Sequence, residues 1–511
     1  MAATTMNPSL SKSTFVRGCK CMKSLYLYNF HRELQDELSE KQQTIFHQGN
    51  EVGMFARQLF PNGQDATVKP FNYTSSTQIT KNLLRLGYKT IYEASFMYNN
   101  VYAAADILVI KRDGWYLYEV KSSASVKPYY VLDAALQYYI LKNLGYPVKQ
   151  VGIICINKDY VRHGKIEPEK LFNIHDVTNE VIAKQEYVED QVAEMQQMLD
   201  QRIAPMCKIG PHCNQFFSCD FQGHCWKKFD EAEHPVYNIS RIGDRLWDLV
   251  KKNIYCQSQI PDSYYFKLSP SQREEITCTL EQSSPEPNIK RLKRFLGEIS
   301  LPVAFLDFET IGTAIPLFDG TRPFQQVPFQ FSLHCDDGRG GYRHHEYLGD
   351  GKTDPRPKLI EKLLEAIPAT GSVLVYFMPF EKSRLQELGA SFPQYRKQLL
   401  QLCDRLVDLI IPFRERYVYH YKMNGSASMK SVLPALFPEL NYEHLNIQNG
   451  SMASQAYLNI NCMKDAEQIS ATRESLLEYC KMDTWGMVEL YRYLKTLVNS
   501  KVFNSPVYVN F

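Results

Sequence analysis

The sequence predicts an α/β protein of two separately folded halves, and three observations carry that expectation. In the first half, residues 103–110 and 115–121 read as strands joined by Lys-Arg-Asp-Gly, and they bear Asp106, Glu119 and Lys121. In the second, residues 302–310 (Pro-Val-Ala-Phe-Leu-Asp-Phe-Glu-Thr) form an apolar strand bearing Asp307 and Glu309 two positions apart. Between the halves, 281–288 is polar and carries Pro285 and Pro287, as a linker does.

At 511 residues the chain is long enough for two or three cores. Its 22% charged and 44% hydrophobic content is ordinary for a soluble protein. A net charge of +2 excludes a global basic field, so contact with nucleic acid would need local patches and metal ions. No apolar run reaches membrane-spanning length and the first residues lack a signal-like core, so a cytoplasmic protein without membrane contact is expected. In a reducing compartment the 13 cysteines are not expected to form disulfides. The even spacing of Cys213, Cys219 and Cys225 therefore needs another reason.

Taken in order, the first half turns on its hairpin. With Asp113 and Gly114 as the central turn residues, Arg112 faces Trp115 and Asp106 falls opposite Lys121. Glu119 then lies diagonally on the same face. Two acids and a lysine converge on one patch of an apolar hairpin; a surface salt bridge is the alternative reading. The next helix, 130–142, carries Gln137, and Glu93 on the preceding strand is a further acid.

The second half opens with a short basic helix at 289–295, read either as a solvated face or as a phosphate contact. Alternation puts Asp307 and Glu309 on one face of one strand, read as buried and central from its apolar run, with an exposed edge bearing two solvated acids as the alternative. Like charges there repel unless a cation sits between them, and a divalent metal is the usual answer. Such a pair calls for further acids. Glu381 opens a helix after the strand at 371–376, and Tyr479 and Asp483 share one face of the helix around 476–490.

Strand Asp-x-Glu, a later acid at a strand end and helical Tyr-x-x-x-Asp resemble, in this order, the DnaQ-like 3′→5′ exonucleases of the RNase H-like fold. The subtype is the one with a Tyr in its last motif. The resemblance implies that Asp307, Glu309, Glu381 and Asp483 hold two Mg²⁺ or Mn²⁺ ions for phosphodiester hydrolysis, and that Tyr479 orients the attacking water or helps take its proton. Glu381 stands where the family has Asp, and Phe377 where it has Asn. Asp408 is the reserve ligand. Asp354 with Arg356, residues 425–434 with Ser428 and Lys430, and Asn449-Gly450 fit a prokaryotic family, resembled by most of the chain, that carries a second nuclease domain before such an exonuclease domain. Lys430 and Ser428 are implied to line a nucleic-acid channel, with helix capping as the other role for Ser428.

Asp106 followed by Glu-x-Lys resembles the PD-(D/E)XK core of RecB-like nucleases. There Asp106 and Glu119 would bind a divalent metal, Lys121 would position or activate water, and Gln137 would support the site. The family's early metal-binding His is replaced by Gly53, leaving Glu51 or His47 as substitutes. One cysteine before such a core and three after it resembles the iron–sulfur, CRISPR-associated type. This implies a 4Fe–4S cluster on Cys21, Cys213, Cys219 and Cys225, with Cys207 spare and Cys19 a poorer fit than Cys21. A four-cysteine zinc site is the rival.

The expected layout is an iron–sulfur PD-(D/E)XK domain at 1–230, a helical connector at 231–297, a DnaQ-like domain at 298–500 and a tail at 501–511. The expected function is a prokaryotic, metal-dependent nuclease acting in genome maintenance or antiviral defence. Its substrate is expected to be DNA, single-stranded or with free ends, though the acids do not distinguish DNA from RNA. The alternatives are a nucleic-acid-binding protein with one degenerate domain serving as clamp or scaffold, and an RNA-directed exonuclease.

Overall fold

The structure, a computed structural model, describes residues 9–37 and 40–500. It is α/β, with two mixed sheets. The chain divides into two compact units. The first holds the residues up to Lys228 together with Thr313–Phe324; the second holds Phe229–Gly312 and the residues from Gln325 onward. Among the described residues no helix is long and apolar enough to cross a membrane.

The first unit is built on a seven-stranded sheet: β1 (Leu10–Ser11), β2 (Gln64–Asp65), β3 (Thr90–Tyr98), β4 (Val101–Lys111), β5 (Gly114–Lys121), β6 (Val148–Ile156) and β7 (Phe172–Asp176). The strands from β2 to β7 lie in sequence order, and β1 pairs with β4. Helices α1 (Lys12–Lys20), α2 (Met22–Phe30), α3 (Glu40–Ala56), α4 (Tyr73–Arg85), α5 (Pro128–Asn143) and α6 (Gln185–Gln201) surround it. One core joins Leu108, Leu117 and Ile153 of the sheet to Leu136 and Ile140 of α5 and to Val188 and Met195 of α6. On the other face Ile107, Tyr118 and Ile154 pack with Val52 of α3 and with Ala314 and Ile315. Burial of both faces explains why these strands read as apolar runs rather than clean alternation.

The β4–β5 register differs from the sequence expectation. Lys111 pairs with Gly114 and Ile110 with Trp115, so Arg112 and Asp113 are the turn residues. Gly114 is needed for a different reason. A Cβ there would stand 2.8 Å from the Pro147 carbonyl oxygen and from Lys149 Cβ, so only glycine lets the end of β6 come this close. The shift brings Asp106 level with Glu119 instead of Lys121 but keeps both acids on one face.

At that point β4 and β5 part. The pairing ends at Ile107↔Tyr118, and further along the same edge of β4 the short β1 takes over at Val101 and Tyr102. β1 leads directly into α1, whose start is fixed by a reciprocal Ser11–Thr14 capping box.

The second unit is built on a five-stranded sheet: β8 (Ala304–Ile311), β9 (Val327–Asp336), β10 (Tyr342–Leu348), β11 (Val373–Val375) and β12 (Leu406–Asp408), in the order β10-β9-β8-β11-β12. β8 runs antiparallel to β9 and parallel to β11, and β11 runs parallel to β12. Its helices include α7 (Pro270–Leu280), α8 (Ile289–Gly297), α9 (Arg356–Ala366), α10 (Met378–Ser391), α11 (Met429–Leu436), α12 (Gly450–Ile460) and α13 (Ala466–Ser500). Leu306 and Phe308 of β8 join Leu359 and Leu363 of α9 and Leu385 of α10 in the core. Phe305, on the opposite face, meets Tyr491 of α13. The two residues that follow it on that face are Asp307 and Glu309.

Gly114→Ala should lower the stability of the first unit by roughly 1–3 kcal/mol, because backbone must move to admit the methyl group. Thermal denaturation checks this, and an unchanged midpoint would contradict the close approach.

Candidate functional site

In the second unit, β8 and α13 bring three acids together. The carboxylate oxygens of Asp307, Glu309 and Asp483 lie within 4.8 Å of one another. Glu381 joins them from the first turn of α10, where an acid suits the positive helix end. It is only 2% exposed, and its Oε2 has no hydrogen-bond partner. Among the described residues, none of these four acids forms an ion pair with a lysine or arginine. Burial first, and then the neighbouring acids, push Asp307, Glu309 and Glu381 well above the carboxylate range. Burial raises Asp483 to about 6.

The surroundings are polar and fixed. Tyr442 donates to Asp483 Oδ1 at 2.6 Å. Tyr479, one turn before Asp483, is 4% exposed, and burial with the nearby acids keeps its phenol protonated. Cys480 is buried against Asp307 Oδ2 at 3.6 Å. Lys430 of α11 donates to the Gln448 carbonyl at 2.6 Å and lies 5.3 and 5.1 Å from the ring centroids of Tyr442 and Tyr479. Burial lowers its pKa, while Asp483, Glu309 and Asp307 oppose that shift. α12 begins beside the acids: a Cβ on Gly450 would stand 3.5 Å from Glu309 Oε2. A cleft of about 420 Å³ is lined by Lys430, Ser431, Ser426 and Lys422, among others. Ser428 holds the N-cap position of α11, but its hydroxyl bonds those of Ser426 and Ser431 instead of a helix N–H.

Asp408 stands apart from this group. Its Oδ1 accepts from the Phe377 N–H at 3.0 Å and the Ile410 N–H at 3.2 Å, tying the end of β11 to β12. Phe377 itself has φ +72°, a left-handed conformation rare for an aromatic residue, and is half exposed. An open acid group of this kind is a fit for a hard divalent cation, with Glu381 Oε2 the clearest vacant acceptor.

The patch in the first unit is organised differently. Lys121 donates to Glu119 Oε1 at 2.7 Å and to Asp133 Oδ2 at 2.6 Å. Gln137 donates to Glu119 Oε2 at 2.7 Å. Asp106 Oδ2 accepts from the Val120 N–H at 2.7 Å, where the β4–β5 ladder has opened. Lys12 of α1, which sequence reasoning missed, lies 2.9 Å from both Glu119 oxygens. Glu93, with φ +56°, interrupts the β3–β4 pairing across from Asp106 and binds Arg57 at 3.1 Å. Lys12 and Asp133 gave no signal in the sequence, since Lys12 reaches Glu119 across 107 positions. Around Gly53 there is open space, Glu51 is exposed, and the His47 side chain lies outside the described residues.

The cysteines form a third group. Cys21, Cys207, Cys213, Cys219 and Cys225 line one small cavity with His212. Cys21 Sγ lies 3.7 Å from Cys207 Sγ, and His212 Nε2 lies 3.4 Å from Cys207 Sγ and 3.9 Å from Cys213 Sγ. Cys21, Cys207 and His212 already have ligand atoms within 4.8 Å of one another. Burial pushes the Cys207 thiol up to about 12. Cys19 lies outside the cavity lining. A cysteine-rich pocket of this composition fits a soft metal or an iron–sulfur cluster.

A family model described as a domain of unknown function (DUF2779) matches residues 304–428. That segment opens at β8 and includes Asp307, Glu309 and Glu381, but ends before Asp483. Among curated proteins, the uncharacterized protein MG366 homolog of Mycoplasma pneumoniae is 26% identical over 218 residues, covering 39% of this chain and 33% of that protein. Uncharacterized protein MG366 of Mycoplasma genitalium is 25% identical over 228 residues, covering 41% and 34%. Uncharacterized protein UU173 of Ureaplasma parvum is 26% identical over 220 residues, covering 38% and 31%. The matches thus span about a third of these relatives' length. A prokaryotic family is consistent with them. Their names state no activity.

The acid group makes the metal-free second unit sensitive to pH. Asp483 ordinarily titrates near 3.8 and is raised to about 6 in the fold, so between these values the folded state holds the extra proton. Stability is therefore lost as pH rises through this window. In EDTA the thermal midpoint should fall from about pH 4 to pH 7, and Asp483→Asn should flatten that fall, since its amide carries no charge and keeps an oxygen for Tyr442. A wild-type midpoint that rises across this range would contradict the arrangement.

Proposed function

We propose that the second unit is a metal-dependent 3′→5′ exonuclease. The observation that carries this reading is the buried convergence of Asp307, Glu309 and Asp483, without an ion-paired lysine or arginine among the described residues, and with the unpartnered Glu381 oxygen beside them. The strand order, with the acid-bearing β8 in the centre and β9 antiparallel to it, is in keeping with an RNase H-like sheet. Bound divalent ions would supply an activated water and stabilise the leaving oxygen of a phosphodiester.

The chain's own residues account for the rest. Tyr442 holds the Asp483 carboxylate in one orientation. Tyr479, kept as a phenol, can hydrogen-bond the attacking water. Lys430 offers a partly buried positive charge beside the acids, where a phosphate would arrive. The half-exposed Phe377 offers a face on which a base can stack, a contact that tolerates any base. Together these favour a single strand with a free 3′ end.

The first unit is proposed to be a RecB-like PD-(D/E)XK domain whose cysteine pocket holds a 4Fe–4S cluster clipping α2 to the 207–225 segment. Genome maintenance or defence against foreign nucleic acid is the proposed setting, within the cytoplasm.

With Mn²⁺ or Mg²⁺, the full chain should shorten 3′-end single strands of DNA. Asp307→Ala should abolish this, and Tyr479→Phe should slow it roughly 100-fold with Mn²⁺ affinity nearly unchanged. Wild-type trimming by Asp307→Ala would overturn the assignment, and comparison of DNA with RNA identifies the sugar. Anaerobically purified protein should be brown, with a broad absorbance near roughly 400 nm that Cys21→Ser bleaches. His212→Ala should keep the colour. Stoichiometric zinc without iron, lost in His212→Ala, would instead place zinc on Cys21, Cys207 and His212.

A further inference from the structure

The two acid groups share a residue type but differ in what neutralises them. In the second unit the carboxylates face one another without an ion-paired cation among the described residues. In the first unit the carboxylate oxygens of Glu119 and Asp106 are already taken. Glu119 Oε1 receives Lys12 and Lys121, and Glu119 Oε2 receives Lys12 and Gln137. Asp106 Oδ1 receives Lys12 at 3.4 Å, and Asp106 Oδ2 receives the Val120 N–H. The Lys12 ammonium also reaches the Ala104 carbonyl at 3.3 Å. Two acid side chains and a backbone carbonyl are the donor set a divalent ion would use. These residues, as arranged, do not fit a metal.

We propose that Lys12 is a built-in cation occupying the divalent-metal position of the first unit, so that this acid patch remains metal-free while the second unit loads metal.

Backbone architecture supports the placement. β1 pairs Leu10 with Val101 and Ser11 with Tyr102, and the Ser11 capping box then starts α1 at Lys12. Lys12 is thus anchored to the strand that carries Asp106, at the place where β5 has left that edge. A tethered ammonium meets the acids without losing translational freedom. A divalent ion would have to shed water and displace it, and Mg²⁺ dehydrates reluctantly. The displaced charge could not go far, and Lys121 would remain beside Glu119 as a second repelling cation. Neutralisation from within costs the fold less than leaving Glu119, 3% exposed, without a partner.

The test reads metal binding, so it stands or falls separately from the exonuclease reading. In the full chain, Asp307→Asn with Asp483→Asn removes the metal site of the second unit. Mn²⁺ is then titrated by electron paramagnetic resonance; as a hard ion it prefers carboxylates to the cysteine pocket. This parent should show no site tighter than about millimolar. Lys12→Ala should gain one ion bound at least about tenfold more tightly, and further Glu119→Gln should remove it. Lys12→Met, which keeps an unbranched side chain without the charge, should show the same gain, whereas Lys12→Arg should not. One Glu119-dependent Mn²⁺ in the parent would overturn the proposal without any Lys12 variant. So would the absence of a gain in folded Lys12→Ala or Lys12→Met.

Discussion

The interaction on which both units depend is repulsion among carboxylates taken out of water. Burying a lone carboxylate costs several kcal/mol, and burying several together costs more, unless positive charge or protons compensate. In the first unit Lys12, Lys121 and Gln137 surround Glu119, which is thereby held well below the usual carboxylate range, while Asp106 and Asp133 are raised to about 6. In the second unit no lysine or arginine forms an ion pair with the four acids among the described residues, and all four are raised. The same residue type is ion-paired to lysine in one place and, among the described residues, not ion-paired in the other. Stability is spent at the open site, which is where function is expected.

Each group stands where strands separate or end. Asp106 lies where β4 and β5 diverge and α1 enters. Glu381 lies just past β11, after a turn in which Phe377 takes a left-handed φ that Asp408 holds through its N–H. The left-handed φ values at Phe377 and Glu93 both sit next to acid groups, as is common where a backbone is bent to aim side chains.

The cysteine pocket brings together residues from separated segments. Cys21 sits between α1 and α2, while Cys207, Cys213, Cys219 and Cys225 follow α6. Arg17 reinforces the same closure by binding Asp220 through two hydrogen bonds of 2.5 and 2.8 Å, and Gln35 binds that carboxylate at 2.6 Å. Because α1 is anchored at this end by Arg17 and at the other by β1, Lys12 has little freedom to leave Glu119.

Residue order alone determined the features that repeat over short distances. Period-two alternation put Asp307 and Glu309 on one face of a strand, and helical spacing put Tyr479 and Asp483 on one face of a helix, because local backbone geometry dictates both. The α/β class and the positions of the main strands follow from the same periodicities. Tertiary structure decided what no local pattern encodes. It set the hairpin register, with Arg112 and Asp113 in the turn and Gly114 against the end of β6. It turned Asp408 toward backbone N–H groups and Glu381 toward the acids. It brought His212 and Cys207 to the cysteine pocket and Lys12 to Glu119. Such partners meet across long stretches of chain, and a charge is matched by whichever group the packed fold carries within reach, not by its neighbour in sequence.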